Sequence, residues 1–519
     1  MKNKIICLKY SHLILAPIFI VLFLGTANEE VTFLVGDVFG AYLICQGILF
    51  IFLFGINLFK RSLKSSSFIA TAIFLLFFSF DAFFEIVDSI EWTSCFLLVL
   101  AGLIFYGVKF LDINKFNKIL SIALLLLVAQ GGIIVIQKNI FVFHDTNFVE
   151  KTPVVLQKTN VNRPIYHFYL DAFARQDVLR AMYHVKGYDF AHELKNIGFY
   201  VLENSSTNYT QTIFSMSSTL NMNYLDAYEN QYNIQTRKDV VRSIYTSKVF
   251  NKLRSFGYKI IAFDSGAQID LRPGVDEYID PARTGVFLSN NSKYEFLNLL
   301  FRKTIFSQFD SLFGVVSLDF QGHQRALVLN TLKSVADFPK RKEKNYYFIH
   351  LMCPHPPFVF NEEGLPTDDP MEIGYIGDGT HYTKSDKKRI ENYKRFYARQ
   401  AVFVARSIIT LLKEILAQSE IKPIIILQSD HGPGSELDQE SYEKTNRCER
   451  KAIFDAFYFP DVQLDLHGSF TPVNTYRLLF DLYFDGNYKM LENKSYYLSW
   501  SNPFSPRLIQ DQCVFKEEK

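Results

Sequence analysis

The sequence predicts an α-helical membrane domain of about five spans, followed by an α/β domain with a mostly parallel sheet. Three observations carry this. Apolar stretches of near-bilayer length crowd the first 140 residues. The loops between them alternate in charge. From Arg163 onward, short β-branched and aromatic runs alternate with longer amphipathic ones.

The apolar stretches are Tyr10–Ala27, Val38–Phe59, Phe68–Val87, Trp92–Phe110 and Ile119–Gln137. A helix needs about 20 apolar residues to cross the hydrocarbon core, and each stretch is near that length. Lys2, Lys4 and Lys9 precede the first, Glu29 and Glu30 follow it, and Lys60, Arg61 and Lys64 follow the second. Glu85, Asp88 and Glu91 surround the third turnaround, and Lys109, Lys115 and Lys118 precede the fifth stretch. Basic loops face the cytoplasm, so the N-terminus is expected inside and everything after Gln137 outside. Gly25-Thr26-Ala27 after a short apolar core leaves a cleaved signal peptide as the alternative for the first span. Asp81, near the end of the third, is read as reaching interfacial water, with a functional intramembrane carboxylate as the alternative.

The expected organisation is a transmembrane domain at 1–138, an interfacial linker at 139–162, a catalytic α/β domain at 163–490 and a tail at 491–519. Ile140–Phe143 would rest on the membrane surface. Strands are expected at Ile165–Leu170, Tyr258–Phe263, Tyr346–Met352, Pro423–Leu427 and Phe454–Phe459, each short and apolar as buried parallel strands are. Helices are expected at Asp177–Ile197, Arg237–Phe256 and Lys384–Ser419, and a long polar loop at Asn361–Lys384. Strands alternating with helices imply a sheet covered on both faces.

Composition narrows the function. With 55 basic and 53 acidic residues the net charge is +2, too balanced for a dedicated nucleic-acid binder. Hydrophobic residues at 49% exclude disorder as the main state. Six cysteines cannot build a disulfide scaffold. Cys353, Cys448 and Cys513 lie beyond the apolar region, and three cysteines allow at most one bridge there.

Ligands of open α/β sheets bind beyond the carboxyl ends of the strands. The first strand ends in Asp171, the third is followed by Cys353-Pro354-His355-Pro356-Pro357, and the fourth ends in Ser429-Asp430-His431-Gly432. Carboxylates and imidazoles of this kind suit Zn²⁺ or Mn²⁺. A lone strand-end Asp would merely cap a helix, but Asp430-His431 places two ligand types side by side. The stretch Asn208–Ser218 is dense in hydroxyls and is expected to open a short helix. Its N-terminus would present free N–H groups to a phosphate, and a hydroxyl beside a metal ion loses its proton more easily.

In this order, Asp171, the Thr212/Ser215/Ser218 segment, the PHPP turn at His355 and the SDHG turn at Asp430-His431 resemble the alkaline phosphatase superfamily. The match is closer to its membrane-anchored sulfatase-like branch, which includes lipoteichoic acid synthases and lipid A phosphoethanolamine transferases. The resemblance covers the spans and the region from about Arg163 to Tyr488. It implies one divalent metal ion held by Asp171, Thr212, Asp430 and His431. Thr212 would be the nucleophile, with Thr210 the runner-up, and His355 would contact the phosphoryl group or protonate the leaving oxygen. It implies further a multi-pass protein of a bacterial inner (cell) membrane with its catalytic domain outside the cytoplasm. A phospho-linked head group would pass from a membrane phospholipid to a cell-envelope glycan or lipid. A phosphodiesterase using the same residues, and an inactive membrane scaffold, are the alternatives.

The chain departs from these relatives in two places. Asp171 stands where both named groups usually carry Glu. Phosphoethanolamine transferases have a further His shortly after the Asp-His pair. Here Gly432–Lys451 has none, leaving Arg447 and Arg450 as candidate phosphate binders. Thr212-Ile213-Phe214-Ser215-Met216 also lacks the C-x-P-x-R or S-x-P-x-R pattern of classical sulfatases.

Overall fold

The computed structural model describes residues 10–27, 35–80, 82–83, 90–146, 161–266, 269, 271–281, 300, 303–304, 320–341, 343–367, 377–466, 468–513 and 515. The charges Lys2, Lys4, Lys9, Glu29, Glu30, Glu85 and Asp88 lie outside these residues, as do Asp81, positions 147–160 of the expected linker and 368–376 of the expected loop. The chain divides into two compact units, one of residues 1–148 with 285–320, the other of 149–284 with 321–519.

The first unit contains helices His12–Ala27, Val35–Lys60, Leu63–Phe77, Ile90–Gly107 and Ile113–Thr146. Among the described residues, three stretches are long and apolar enough to cross a membrane: Phe39–Lys60, Trp92–Phe110 and Ile113–Ile134. His12–Thr26 and Leu63–Phe77 are shorter apolar helices. Ala16, Leu24, Ala41, Cys45, Ala70, Phe74 and Leu124 are buried where these helices meet, whereas Phe50, Phe54, Leu98 and Leu126 face outward. Apolar side chains on the outer surface are what a lipid solvent requires. The last helix runs through Thr146, so the start of the expected linker is helical.

The second unit is built on a seven-stranded sheet: β1 (Ile165–Leu170), β2 (Tyr200–Leu202), β3 (Lys259–Phe263), β4 (Glu277–Ile279), β5 (Asn345–Leu351), β6 (Ile424–Gln428) and β7 (Asp455–Tyr458), in the order β2-β7-β6-β1-β5-β3-β4. The pairs β1–β5, β1–β6, β3–β5 and β3–β4 are parallel; β6–β7 and β2–β7 are antiparallel. Five strands lie within a residue or two of the expected runs. The edge strands β2 and β4 are only three residues long, too short to stand out from the sequence as strands.

Two expected helices are broken. Arg237–Phe256 becomes Arg237–Tyr245 and Lys248–Ser255, because Ser247 turns out of the helix and caps the second one at the Phe250 N–H. Asp177–Ile197 becomes Gln176–Ala181 and Phe190–Asn196, the latter capped by Asp189. Lys387–Gln418 runs nearly as expected, starting on an Asp386 cap. Tyr166, Phe168 and Leu170 of β1 belong to a core with Phe396, Tyr397, Val404 and Ile408 of this long helix. Ile165 and Tyr169 point the other way, into a core with Val249, Phe250, Tyr476 and Phe480. The alternation of side chains along a strand thus gives the sheet two buried faces.

Candidate active site

The parallel register aligns the ends of β1, β5 and β6, since Tyr169 is level with both His350 and Gln428. The chain just past these ends carries Asp171 and the Ser429-Asp430-His431-Gly432 turn. Asp171, Asp430 and His431 are buried, and each offers one ligand atom within 4.8 Å of the others. His431 Nε2 lies 3.3 Å from Asp430 Oδ2 and 3.8 Å from Asp171 Oδ1.

Each of these residues has one atom fixed by the protein and one left over. Asp430 Oδ1 accepts the Ala172 N–H at 3.1 Å, while Oδ2 is buried with no hydrogen-bond partner. Asp171 Oδ2 is paired with His350 Nε2 at 3.0 Å, while Oδ1 is buried and unpartnered. His431 Nδ1 faces the Gly432 carbonyl at 3.0 Å; a carbonyl only accepts, so Nδ1 carries the proton and Nε2 presents a lone pair. Two orphaned carboxylate oxygens and a lone pair converging in a buried site are what a divalent cation satisfies, and oxygen and imidazole donors fit Zn²⁺ or Mn²⁺.

The charges are arranged accordingly. Burial works to raise the pKa of Asp171, but His355, the His350 hydrogen bond and His431 outweigh it and hold Asp171 well below the usual carboxylate range. Burial first, then Arg450, lowers the pKa of His431, against the opposing pull of Asp430, Asp171 and Asp378.

Thr212 is the first residue of the helix Thr212–Asn221, and its Oγ1 lies 3.0 Å from His431 Nε2. The helix enters without a side-chain cap. The Gln211 amide donates to the carbonyls of Leu498 and Ser499, and its oxygen accepts from Arg237. The first N–H groups of the helix, with the positive end of its dipole, therefore open beside the Thr212 hydroxyl. The other hydroxyls of the segment are engaged. Thr210 Oγ1 accepts the Leu498 N–H at 3.0 Å, Ser218 donates to the Asn223 carbonyl at 2.7 Å, and Ser215 Oγ sits 3.3 Å from Thr207 Oγ1.

His355 comes from the PHPP turn, which is tied to β1 by its N–H to the Asp171 carbonyl at 3.1 Å. Gln400, fully buried on the long helix, holds the rest: its oxygen accepts from Val359 and Phe360, and its NH₂ reaches the carbonyls of Pro354, His355 and Pro357. His355 Nδ1 is 2.6 Å from the Pro356 carbonyl, leaving Nε2 on the side of Asp378, 3.9 Å from its Oδ2. The His355 and His431 rings are 6.2 Å apart.

The two candidate arginines separate. Arg450 is buried; it pairs with Asp378 and donates to the carbonyls of Thr210 at 3.0 Å and Gly432 at 2.9 Å, bracing the loops that carry Thr212 and His431. The Arg447 guanidinium is instead taken up by Asp511 and by the Tyr442 carbonyl, beside the disulfide Cys448–Cys513. Gly432 belongs where it stands: a Cβ there would lie 2.2 Å from the Glu449 carbonyl oxygen.

Three contributors carry no sequence signal of their own. His350 sits inside an apolar strand, Gln400 inside a long amphipathic helix, and Asp378 in the polar loop. Asp378 accepts from Tyr393 at 2.7 Å. Burial acts to raise its pKa, but Arg450 and His355 bring it down to about 2.

No family model and no curated protein matches the chain. Solved structures do. The C-terminal periplasmic domain of EcEptC from Escherichia coli, in complex with Zn, aligns with 13% identity and a TM-score of 0.43 over 69% of this chain and 96% of its own. The integral membrane lipooligosaccharide phosphoethanolamine transferase A from Neisseria meningitidis aligns with 11% identity and a TM-score of 0.38, over 92% of this chain and 94% of its own. A putative sulfatase from Bacteroides thetaiotaomicron aligns with 13% identity and a TM-score of 0.41, over 65% and 78%.

Proposed function

We propose that this chain is a membrane-tethered, metal-dependent phosphotransferase of the sulfatase-like branch of the alkaline phosphatase superfamily. It moves a phospho-linked head group from a membrane phospholipid to a cell-envelope glycan or lipid, through a covalent intermediate on Thr212. The observation that carries this is the approach of Thr212 Oγ1 to His431 Nε2, at 3.0 Å, beside the orphaned oxygens of Asp171 and Asp430.

Asp171, Asp430, His431 and Thr212 would hold one divalent ion, which supplies positive charge that favours the deprotonated hydroxyl and offsets charge on the phosphoryl oxygens. His431 Nε2 would then serve as a ligand, so the proton leaving Thr212 Oγ1 passes to solvent water. His350 donates to Asp171 Oδ2 and so turns Oδ1 inward. Thr212 Oγ1 attacks phosphorus, the bond from phosphorus to the lipid alcohol breaks, and His355 gives a proton to the leaving oxygen. The uncapped N–H groups of the Thr212 helix stabilise the charge on the non-bridging oxygens. An acceptor hydroxyl then attacks phosphorus and gives its proton to His355, and the bond from phosphorus to Thr212 Oγ1 breaks. The apolar helices tether this chemistry to a bilayer, and the alternation of loop charge supports a catalytic unit outside the cytoplasm. The disulfide fits an oxidising compartment.

The test supplies phospholipid labelled in its head group, with and without envelope glycolipid. The proposal expects label on the acceptor, dependent on a divalent metal and lost in Thr212→Ala. Release of free head group at the same rate whether or not acceptor is present would make the chain a phosphodiesterase instead.

A further inference from the structure

The second unit carries a cleft away from the strand ends, at the far end of the helix that Thr212 begins. Its cavity is about 340 Å³, within the range of small-ligand sites. It is lined by Asn221, Met222 and Asn223 at the end of that helix, by Lys248 and Lys252, and by Gln231, Arg477 and Tyr488. Thr212 and Asn221 are nine residues apart on the helix, so the cleft begins roughly 14 Å from the nucleophile at 1.5 Å per residue.

The charge of the cleft is one-sided. Three of its lining side chains are cationic and none is a carboxylate. Lys248 and Lys252 are one turn apart on the helix Lys248–Ser255, and neither makes an ion pair among the described residues. Lys248 opens that helix, so the positive end of the helix dipole adds to the same field. Arg477 is held by carbonyls rather than by an acid, with Nε on Met222 at 2.8 Å and Nη1 on Lys489 at 2.7 Å. Burial depresses its pKa, which a bound anion would offset. The neighbouring acid, Asp481, is turned to the Tyr488 N–H.

The remaining lining is polar. The Gln231 amide and the Tyr488 hydroxyl make no hydrogen bond among the described residues, and neither does the Asn223 NH₂ group. The Tyr488 ring is packed by the Lys252 ammonium at 5.1 Å, the Arg477 guanidinium at 5.9 Å and the Phe480 ring at 6.1 Å, so its hydroxyl is the group it offers a ligand. Amides and a phenol bind vicinal hydroxyls, and three cations favour a negative group on the same ligand.

We infer that this cleft binds an anionic saccharide, a sugar unit carrying a phosphate or a carboxylate. It goes beyond the transfer reaction, because no residue of the catalytic cluster lines it. The sugar can belong to a lipid-linked or a free glycan, and both present the same chemistry to Lys248, Lys252 and Arg477.

The test is calorimetric titration of the full chain in neutral detergent with glucose 6-phosphate, glucuronate, glucose and inorganic phosphate. Both anionic sugars should bind at least about tenfold more tightly than glucose or phosphate alone, since each lacks one half of the contacts. Lys248→Glu/Lys252→Glu should weaken the anionic sugars by at least about tenfold, and the first change places an acid at a helix start, where it is well tolerated. Lys248→Gln/Lys252→Gln, with smaller disturbance, should show a smaller loss in the same direction. Thr212→Ala and Asp430→Ala should leave the binding unchanged. Equal affinity for glucose and its phosphate overturns the inference. So does unchanged binding in both lysine variants, or loss of binding in Asp430→Ala, which would put the ligand in the catalytic site. A glycolipid of the same sugar phosphate, added in micelles, separates the sources: tighter binding than the free sugar marks a lipid-linked ligand, equal binding a free one.

Discussion

Replacing Thr210 and Thr212 separately should split stability from catalysis, because two threonines two residues apart have different employment. Thr210 is buried, and its Oγ1 accepts the Leu498 N–H at 3.0 Å. Thr210→Val keeps the shape and removes the acceptor, leaving a buried N–H unsatisfied, which costs about 1–3 kcal/mol. Thr212 is half-exposed, and the one hydrogen bond of its hydroxyl among the described residues is to His431. Thr212→Ala removes a group with one exposed-side contact at a helix start, so stability should change by less than about 1 kcal/mol. Turnover should behave in the opposite way. Thr212→Ala removes the attacking oxygen and should cost about 10³-fold or more in kcat. Thr210→Val should keep turnover within about tenfold, since Thr210 touches the site only through its carbonyl on Arg450. The assay pairs denaturant melts with head-group transfer on the same preparations. A dead Thr210→Val beside a working Thr212→Ala would shift the nucleophile by two residues. Full activity in both would remove covalent catalysis from this helix.

Other expectations are as direct. Asp430→Ala and His431→Ala should each lose the tightly held divalent ion, read by metal analysis after dialysis, and retention of metal by both would contradict the assigned site. Gln400→Leu should lower kcat far more than it raises KM, because the carbonyls and N–H groups of the PHPP turn lose their common anchor; unchanged kinetics would show the turn holds His355 unaided. Cys448→Ser/Cys513→Ser opens a 65-residue loop and should cost about 2–4 kcal/mol in a denaturant melt, against no change if the bridge is idle. Glu449 is buried, and burial pushes its pKa up to about 7 from 4.5, so the folded state binds a proton that the unfolded state releases. Its contribution is therefore full below pH 4.5 and is lost as pH rises towards 7, by the order of 3 kcal/mol. Glu449→Gln should flatten that part of the stability–pH curve, and an unaltered slope would refute the assignment.

Strand order along the chain was legible because buried parallel strands are nearly pure apolar runs. Asp171 and Asp430-His431 stood out because each interrupts such a run at its end. The short strands β2 and β4 were not legible, since edge segments of three residues are too short to show a strand period. Nor was the break at Thr246-Ser247, where two amphipathic helices share one continuous period and only the Ser247 cap separates them. His350 was hidden for the opposite reason. It sits in a run that is otherwise apolar, and its role comes from the level at which β5 lies beside β1. The choice between Arg447 and Arg450 required the third dimension too: they are three residues apart, yet one braces the site and the other is clamped to Asp511 near the C-terminus. Thr210 and Thr212 were separated in sequence only by spacing, and in the structure by what each hydroxyl touches.

The most direct measurement of the central claim is the intact mass of the full chain after brief exposure to phospholipid without acceptor, followed by peptide mapping. The account predicts one added phospho-linked head group on the peptide containing Thr212, discharged when acceptor is supplied and missing in Thr212→Ala. Turnover of labelled lipid with no mass ever added at Thr212, or an adduct mapped to another residue, would contradict it.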